Sequence, residues 1–180
     1  MQKHVYFRDH WGKYWPDQNE LKTFFLTQRG RQNWSYGGND GWLLECQGVN
    51  GSGDLPAYGK TGPTGIGSRI DANFTMDANL DLGVLLGFDR FGGGFNDHYC
   101  STGDLTRLHE WVRTLHGDLR PVGLYIPCDD AWSALKEFMD TGGELPKCIP
   151  WIRTSELPSD AFPDRGNISF NGLRAINDKP

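Results

Sequence analysis

Cysteine is scarce and scattered in this chain: Cys46, Cys100, Cys128 and Cys148 lie far apart and form no C-x-x-C pair. That spacing argues against a zinc knuckle and for reduced, mostly structural thiols in a cytosolic protein. The five histidines include no H-x-x-x-H, so no metal site and no cofactor is expected. No apolar run is long enough to cross a bilayer, and MQKHVYFRDHWGKYW at the start has neither an unbroken apolar core nor a small-residue cleavage site. Neither a membrane nor a secretory leader is therefore expected, and the expected location is cytoplasmic. Basic residues are in deficit, 18 against 23 acids, for a net charge of −5. Non-specific nucleic-acid binding is disfavoured, and a basic partner is easier to attract.

What is present fits one domain of 180 residues, with 37% hydrophobic and 13% aromatic residues and 24 glycines that imply many turns. His4 to Phe7 reads as a first strand, followed by an aromatic loop with Trp11, Tyr14 and Trp15. Asp17 and Glu20 form a capping-box pattern before Leu21, Phe24 and Phe25, predicting a helix that ends near Arg29 with Gly30 at C′. Trp42 to Gln47 reads as a strand, and Leu55 to Ser68 as a long surface loop. Ile70, Ala72, Phe74 and Met76 alternate with polar residues, predicting a half-buried strand. Gly83 to Phe88 is a continuous apolar run, as in a central strand covered on both faces. Phe91 to Phe95 is a glycine turn.

The most legible stretch is Leu124 to Trp151, LYIPCDDAWSALKEFMDTGGELPKCIPW. Leu124 to Ile126 reads as a strand stopped by Pro127. Asp129 or Asp130 is placed to cap a helix whose buried side carries Ala131, Leu135, Phe138 and Met139. Gly142 ends it, and Cys148 to Trp151 reads as a short edge strand. This run, with Tyr99-Cys100-Ser101-Thr102-Gly103-Asp104 upstream, resembles the first-numbered immunity family of bacterial polymorphic toxin systems (Imm-one type), often encoded beside nucleic-acid deaminase toxins. The resemblance covers Val84 to Trp151, with Pro127, Ala131, Leu135, Phe138, Gly142 and Trp151 as its structural signature.

The resemblance implies an α+β fold, a mostly antiparallel sheet packed against a few helices. It also implies a non-enzymatic protein that occludes the active site of a co-encoded toxin, with that toxin domain as partner. The fold is read as one domain over 1–151 and an extended tail over 152–180. At Leu105 to Leu115 the periodicity fits a helix, whereas the resemblance implies a strand paired through His116-Gly117-Asp118, which is followed here.

Two surfaces are candidates for the toxin. One is the aspartate-rich stretch with Asp77, Asp81, Asp89, Asp97 and Asp104; the other is the polar face of the helix with Asp130, Glu137 and Asp140. Complementary charge speeds association, although aspartates also cap turns in any fold. The alternative reading is a carbohydrate-binding module, which needs Trp11, Trp15, Trp34 and Trp42 in one shallow groove. An enzyme would need Asp97, His98 and Cys100 together in a cleft. Trp111, Trp132 and Trp151 are expected in or at the edge of the core.

Overall fold

A computed structural model describes residues 2–7, 10–12, 14–36, 39–57 and 68–163. The fold is α+β. Strands β1 (Gln2–Phe7), β2 (His10–Gly12), β3 (Gly41–Gln47), β4 (Asp71–Asn79), β5 (Gly83–Gly92) and β6 (Phe95–Ser101) pair antiparallel in one sheet. Its order is β10-β6-β5-β4-β3-β1-β2, where β10 (Trp151–Arg153) is an edge strand and β9 (Tyr125–Ile126) pairs with the start of β5. Strands β7 (Trp111–Arg113) and β8 (Leu119–Pro121) form a separate hairpin.

One face of the sheet carries Leu44, Phe74, Met76, Leu86 and Phe88, in register across β3, β4 and β5. Helices α1 (Gln18–Leu26) and α3 (Cys128–Thr141) close over this face. Phe138 stacks against Phe74 at 4.8 Å and Trp15 at 5.3 Å, while Phe24, Phe25, Trp34 and Trp42 form a continuous aromatic cluster. Ala131, Leu135 and Phe138 are buried as the helical spacing predicts, and Gly142 ends α3 at φ 70°. A second apolar cluster, with Leu85, Cys100, Leu108, Leu124 and Tyr125, is completed by Leu157, Ala161 and Phe162. Residues just past the signature Trp151 thus belong to the packed fold. The remainder of the expected tail, 164–180, lies outside the described residues, as does most of the expected 55–68 loop.

Several expectations are corrected. α3 begins at Cys128, with Pro127 at the N-cap, so Asp129 and Asp130 sit inside the first turn, where carboxylates favour the helix dipole without capping it. Gly30 is not a C′ residue. α1 ends at Thr27, whose hydroxyl caps a second helix, α2 (Gln28–Gln32), and Gly30 lies within it. A Cβ there would collide with the Thr23 carbonyl, so glycine is required by close packing. The terminal strand starts at Trp151 and not Cys148, since Pro146 to Pro150 form the approach to it. The aromatic loop contains β2. β4 is more buried than its alternation predicts: Asp71 and Asn73, on the polar side, are also shielded. At 105–115 only Trp111–Arg113 is strand, after a 3-10 turn at Leu105–Arg107; it pairs with β8 through the 116–118 turn, where Gly117 has φ 90°. A 3-10 turn at Val122–Leu124 separates β8 from β9, so the expected strand over Leu124 to Ile126 is only its last two residues.

Candidate partner-binding surfaces

The sequence groups the aspartates, but strand register separates them. Asp89 on β5 stands opposite Asn73 and His98, on the face away from the helices. It is 2% exposed; one oxygen lies 2.6 Å from His98 Nδ1 and the other has no hydrogen-bond partner among the described residues. Burial raises its pKa, against the opposing pull of His98. Asp97 falls on the opposite face, beside its cross-strand neighbour Arg90, which it accepts from at 2.8 Å, and Arg153 reaches it from β10. Asp77, near the end of β4, accepts from Arg120 Nε of β8 at 2.5 Å. Burial also raises its pKa, offset by Arg120.

The remaining acids lie nearer solvent. Asp81 is exposed in the β4–β5 turn. Asp104 is exposed too and caps the 105–107 turn through Thr106, which lowers its pKa. On α3, Asp130 is exposed, Asp140 pairs with Lys136 and accepts from Gln18, and Glu137 accepts the backbone N–H groups of Lys147 and Cys148. Those backbone bonds, the Lys147 one first, hold Glu137 below the usual carboxylate range. Glu137 therefore shapes the turn leading to Trp151. Among the described residues, Asp81, Asp104 and Asp130 form no ion pair and remain available to a cation from outside.

Of the signature residues, Ala131, Leu135 and Phe138 are buried and Trp151 packs against the core, whereas Pro127 is exposed. Ser101 is fully buried; its hydroxyl donates to the Leu124 carbonyl at 2.7 Å and accepts from Leu86 N–H at 2.9 Å. It thereby ties β5 and β6 to the 122–124 turn where β5 leaves β6 for β9. Gly103 donates to the Gly123 carbonyl, and any Cβ on it would collide with the Tyr125 carbonyl. Trp151 donates from Nε1 to the Pro146 carbonyl at 2.8 Å and packs edge-on against Phe74 and Phe88. The serine's role was hidden in the sequence, because a buried hydroxyl bridge looks like any serine in a turn.

A family model described as immunity protein Imm1 matches residues 99–153. The Imm1-type match covers the end of β6, the β7–β8 hairpin, β9, α3 and β10, and supports an immunity-protein role with a cognate toxin as partner. No curated protein and no solved structure matches the chain.

The rival sites lose the features they needed. Trp34 and Trp42 are 2% and 3% exposed, locked in the aromatic cluster, so they line no groove for a sugar. The side chain of Trp11 lies outside the described ones. Cys100 is buried in the second apolar cluster, and His98 pairs with Asp89 instead of Asp97, so Asp97, His98 and Cys100 do not converge. Among the described residues, no three His, Cys, Asp or Glu side chains are grouped as metal ligands. Trp132 packs in the core as expected, whereas Trp111 is half exposed. No helix among the described residues is long and apolar enough to cross a membrane.

Proposed function

We propose that this chain is a cytoplasmic immunity protein that binds a co-encoded bacterial toxin, one acting on nucleic acid by deaminase-like chemistry, and blocks access to its active site. The observation that carries this reading is the Imm1 match across 99–153, over a segment whose signature side chains build a scaffold and not a catalytic cleft. Residues 1–151 act as one domain, and Leu157, Ala161 and Phe162 just after it cover its second apolar cluster. The four cysteines stand as thiols and not as disulfides, which suits a reducing compartment. The partner is basic: a toxin that grips phosphates carries positive charge, and the net charge of −5 on this chain complements it. Neither nucleic acid nor membrane is bound directly. Asp81, Asp104 and Asp130 are the acids left to steer the encounter, whereas Asp77, Asp89 and Asp97 serve the fold.

The test is co-expression with the toxin domain encoded beside this gene, scored by growth and by the stoichiometry of the purified complex. Rescue together with a complex of nanomolar affinity, about −12 kcal/mol, is expected. Continued killing despite soluble expression of both proteins would overturn the immunity role. Rescue without a complex would overturn occlusion.

A further inference from the structure

We infer that the outward face of the β7–β8 hairpin, anchored on Trp111, is the toxin-docking surface of this chain, and that its occupant is an apolar pocket with a basic rim on the toxin. The inference rests on the immunity reading and goes further, from the role to the place.

Large apolar side chains exposed within the Imm1-matched segment are concentrated at this hairpin and its approach: Leu105 at 39%, Trp111 at 41% and Leu115 at 55%. Strand alternation explains the hairpin's part. Val112 turns inward onto the second apolar cluster, which sends Trp111 and Arg113 outward. Tryptophan and arginine are the residues most enriched among interface hot spots.

The tryptophan is also held in position before any partner arrives. Its Nε1–H donates to the Ala161 carbonyl at 2.9 Å, and His109 stands edge-on to its ring at 6.5 Å. An anchor fixed in one rotamer loses little entropy on binding. The hairpin beneath it is pinned to the main sheet by Arg120 on Asp77 and by Leu115 N–H on Asp40. It is pinned at its base by Val122 N–H on the Glu110 carbonyl. Asp77 thus contributes by fixing the platform.

Charge complementarity selects the occupant. Around the hairpin, Arg107 pairs with Glu110 and also pulls on Asp104, Arg120 pairs with Asp77 and Asp118, and Arg113 donates to the Gly117 carbonyl. Among the described residues, Asp104 forms no ion pair of its own and exposed Asp160 is matched by His109, 3.5 Å away. Asp77, Asp104, Glu110, Asp118 and Asp160 outnumber Arg107, Arg113 and Arg120 there, and a half-exposed indole on a surface with that acidic excess fits an apolar pocket edged with lysine or arginine.

The experiment is hydroxyl-radical footprinting of the intact protein, free and mixed with the toxin domain encoded beside its gene, with Trp111→Ala titrated against the same domain. Oxidation at Trp111 is expected to fall on binding, while exposed Tyr14 and Tyr36 continue to oxidise. Trp111→Ala is expected to weaken binding about 30-fold or more. A complex in which Trp111 oxidises as fast as in the free chain overturns the surface and leaves the immunity role standing. Failure of the toxin domain to bind at all overturns both. The footprint uses the wild-type chain, so it decides even if the alanine variant folds poorly.

Discussion

Replacing Arg120 by methionine separates the platform role of Asp77 from a role in direct contact. The guanidinium lies 2.5 Å from Asp77 and 3.5 Å from Asp118, and the three side chains are 13%, 22% and 27% exposed. Breaking a fully buried pair by removing one partner costs about 3–5 kcal/mol, and an exposed pair about 0–1. Solvent screening at this partial exposure places Arg120→Met at about 2–3 kcal/mol at pH 7, a sizeable share of a typical stability of about 5–15 kcal/mol. The loss depends on pH in a definite direction. Burial already raises the Asp77 pKa, Asp40 and Asp118 raise it further, and only Arg120 pulls it down. Without Arg120 the folded-state value climbs well above the unfolded one. A raised carboxyl favours the folded state below the unfolded pKa, and that contribution is lost as pH rises through the folded pKa. The deficit relative to wild type is therefore largest at pH 7 and shrinks towards pH 4. Asp77→Asn in the same chain removes the stranded charge and should recover at least about half of the loss. Urea unfolding followed by tryptophan fluorescence at pH 7 and pH 4.5 measures the wild type and both variants. An equal deficit at both pH values, or a double variant no better than Arg120→Met alone, would refute the reasoning.

Four further outcomes follow from other parts of the fold. Ser101→Ala leaves the buried Leu86 N–H without its acceptor and should cost about 1–3 kcal/mol, with faster amide exchange at Leu86. Phe138→Ala removes the ring that Phe74, Phe88 and Trp15 pack against, and urea unfolding should show a loss of about 3–5 kcal/mol. Burial pushes the Cys46 thiol up to about 11, so iodoacetamide at pH 8 should leave it unmodified in the native chain and label it only after denaturation. The exposed Cys148 is also held at about 11, by desolvation first and then by Glu137; Glu137→Gln should accelerate its alkylation, read by mass spectrometry.

How far the sequence carries depends on whether a residue's task is local. The α3 stripe of Ala131, Leu135 and Phe138 and its stop at Gly142 follow from helical geometry alone, and β5 follows from its continuous apolar run. Gly30 misleads because a glycine that ends a helix and one that lets two segments touch look identical until the second segment is placed. The acids mislead for a similar reason. Asp89 and Asp97 are eight residues apart along the chain, yet the β5–β6 register places them on opposite faces, each beside its own basic partner. β4 reads as half-buried because period two reports only which side a residue faces, and Asp71, on the polar side, is shielded beside Arg69. Trp111 was expected near the core because tryptophan usually is; the three-residue strand that turns it outward is too short for periodicity to detect.

The direction in which side chains point separates what the signature can specify from what it cannot. Ser101, Gly103, Phe138 and Trp151 all spend their chemistry inside the molecule, on a carbonyl, a tight backbone approach or an aromatic neighbour. Such residues dictate where the β7–β8 hairpin and α3 stand, and they carry no information about what is bound. Selectivity for one toxin must then reside in side chains that the scaffold holds outward, where substitution costs little stability. Trp111 on the hairpin and Asp104 at its approach meet that condition, while Asp77 and Arg120, one layer below, set how firmly they are held. A change of partner can therefore proceed on the outer layer without reopening the fold, whereas loss of the layer below weakens stability and binding together.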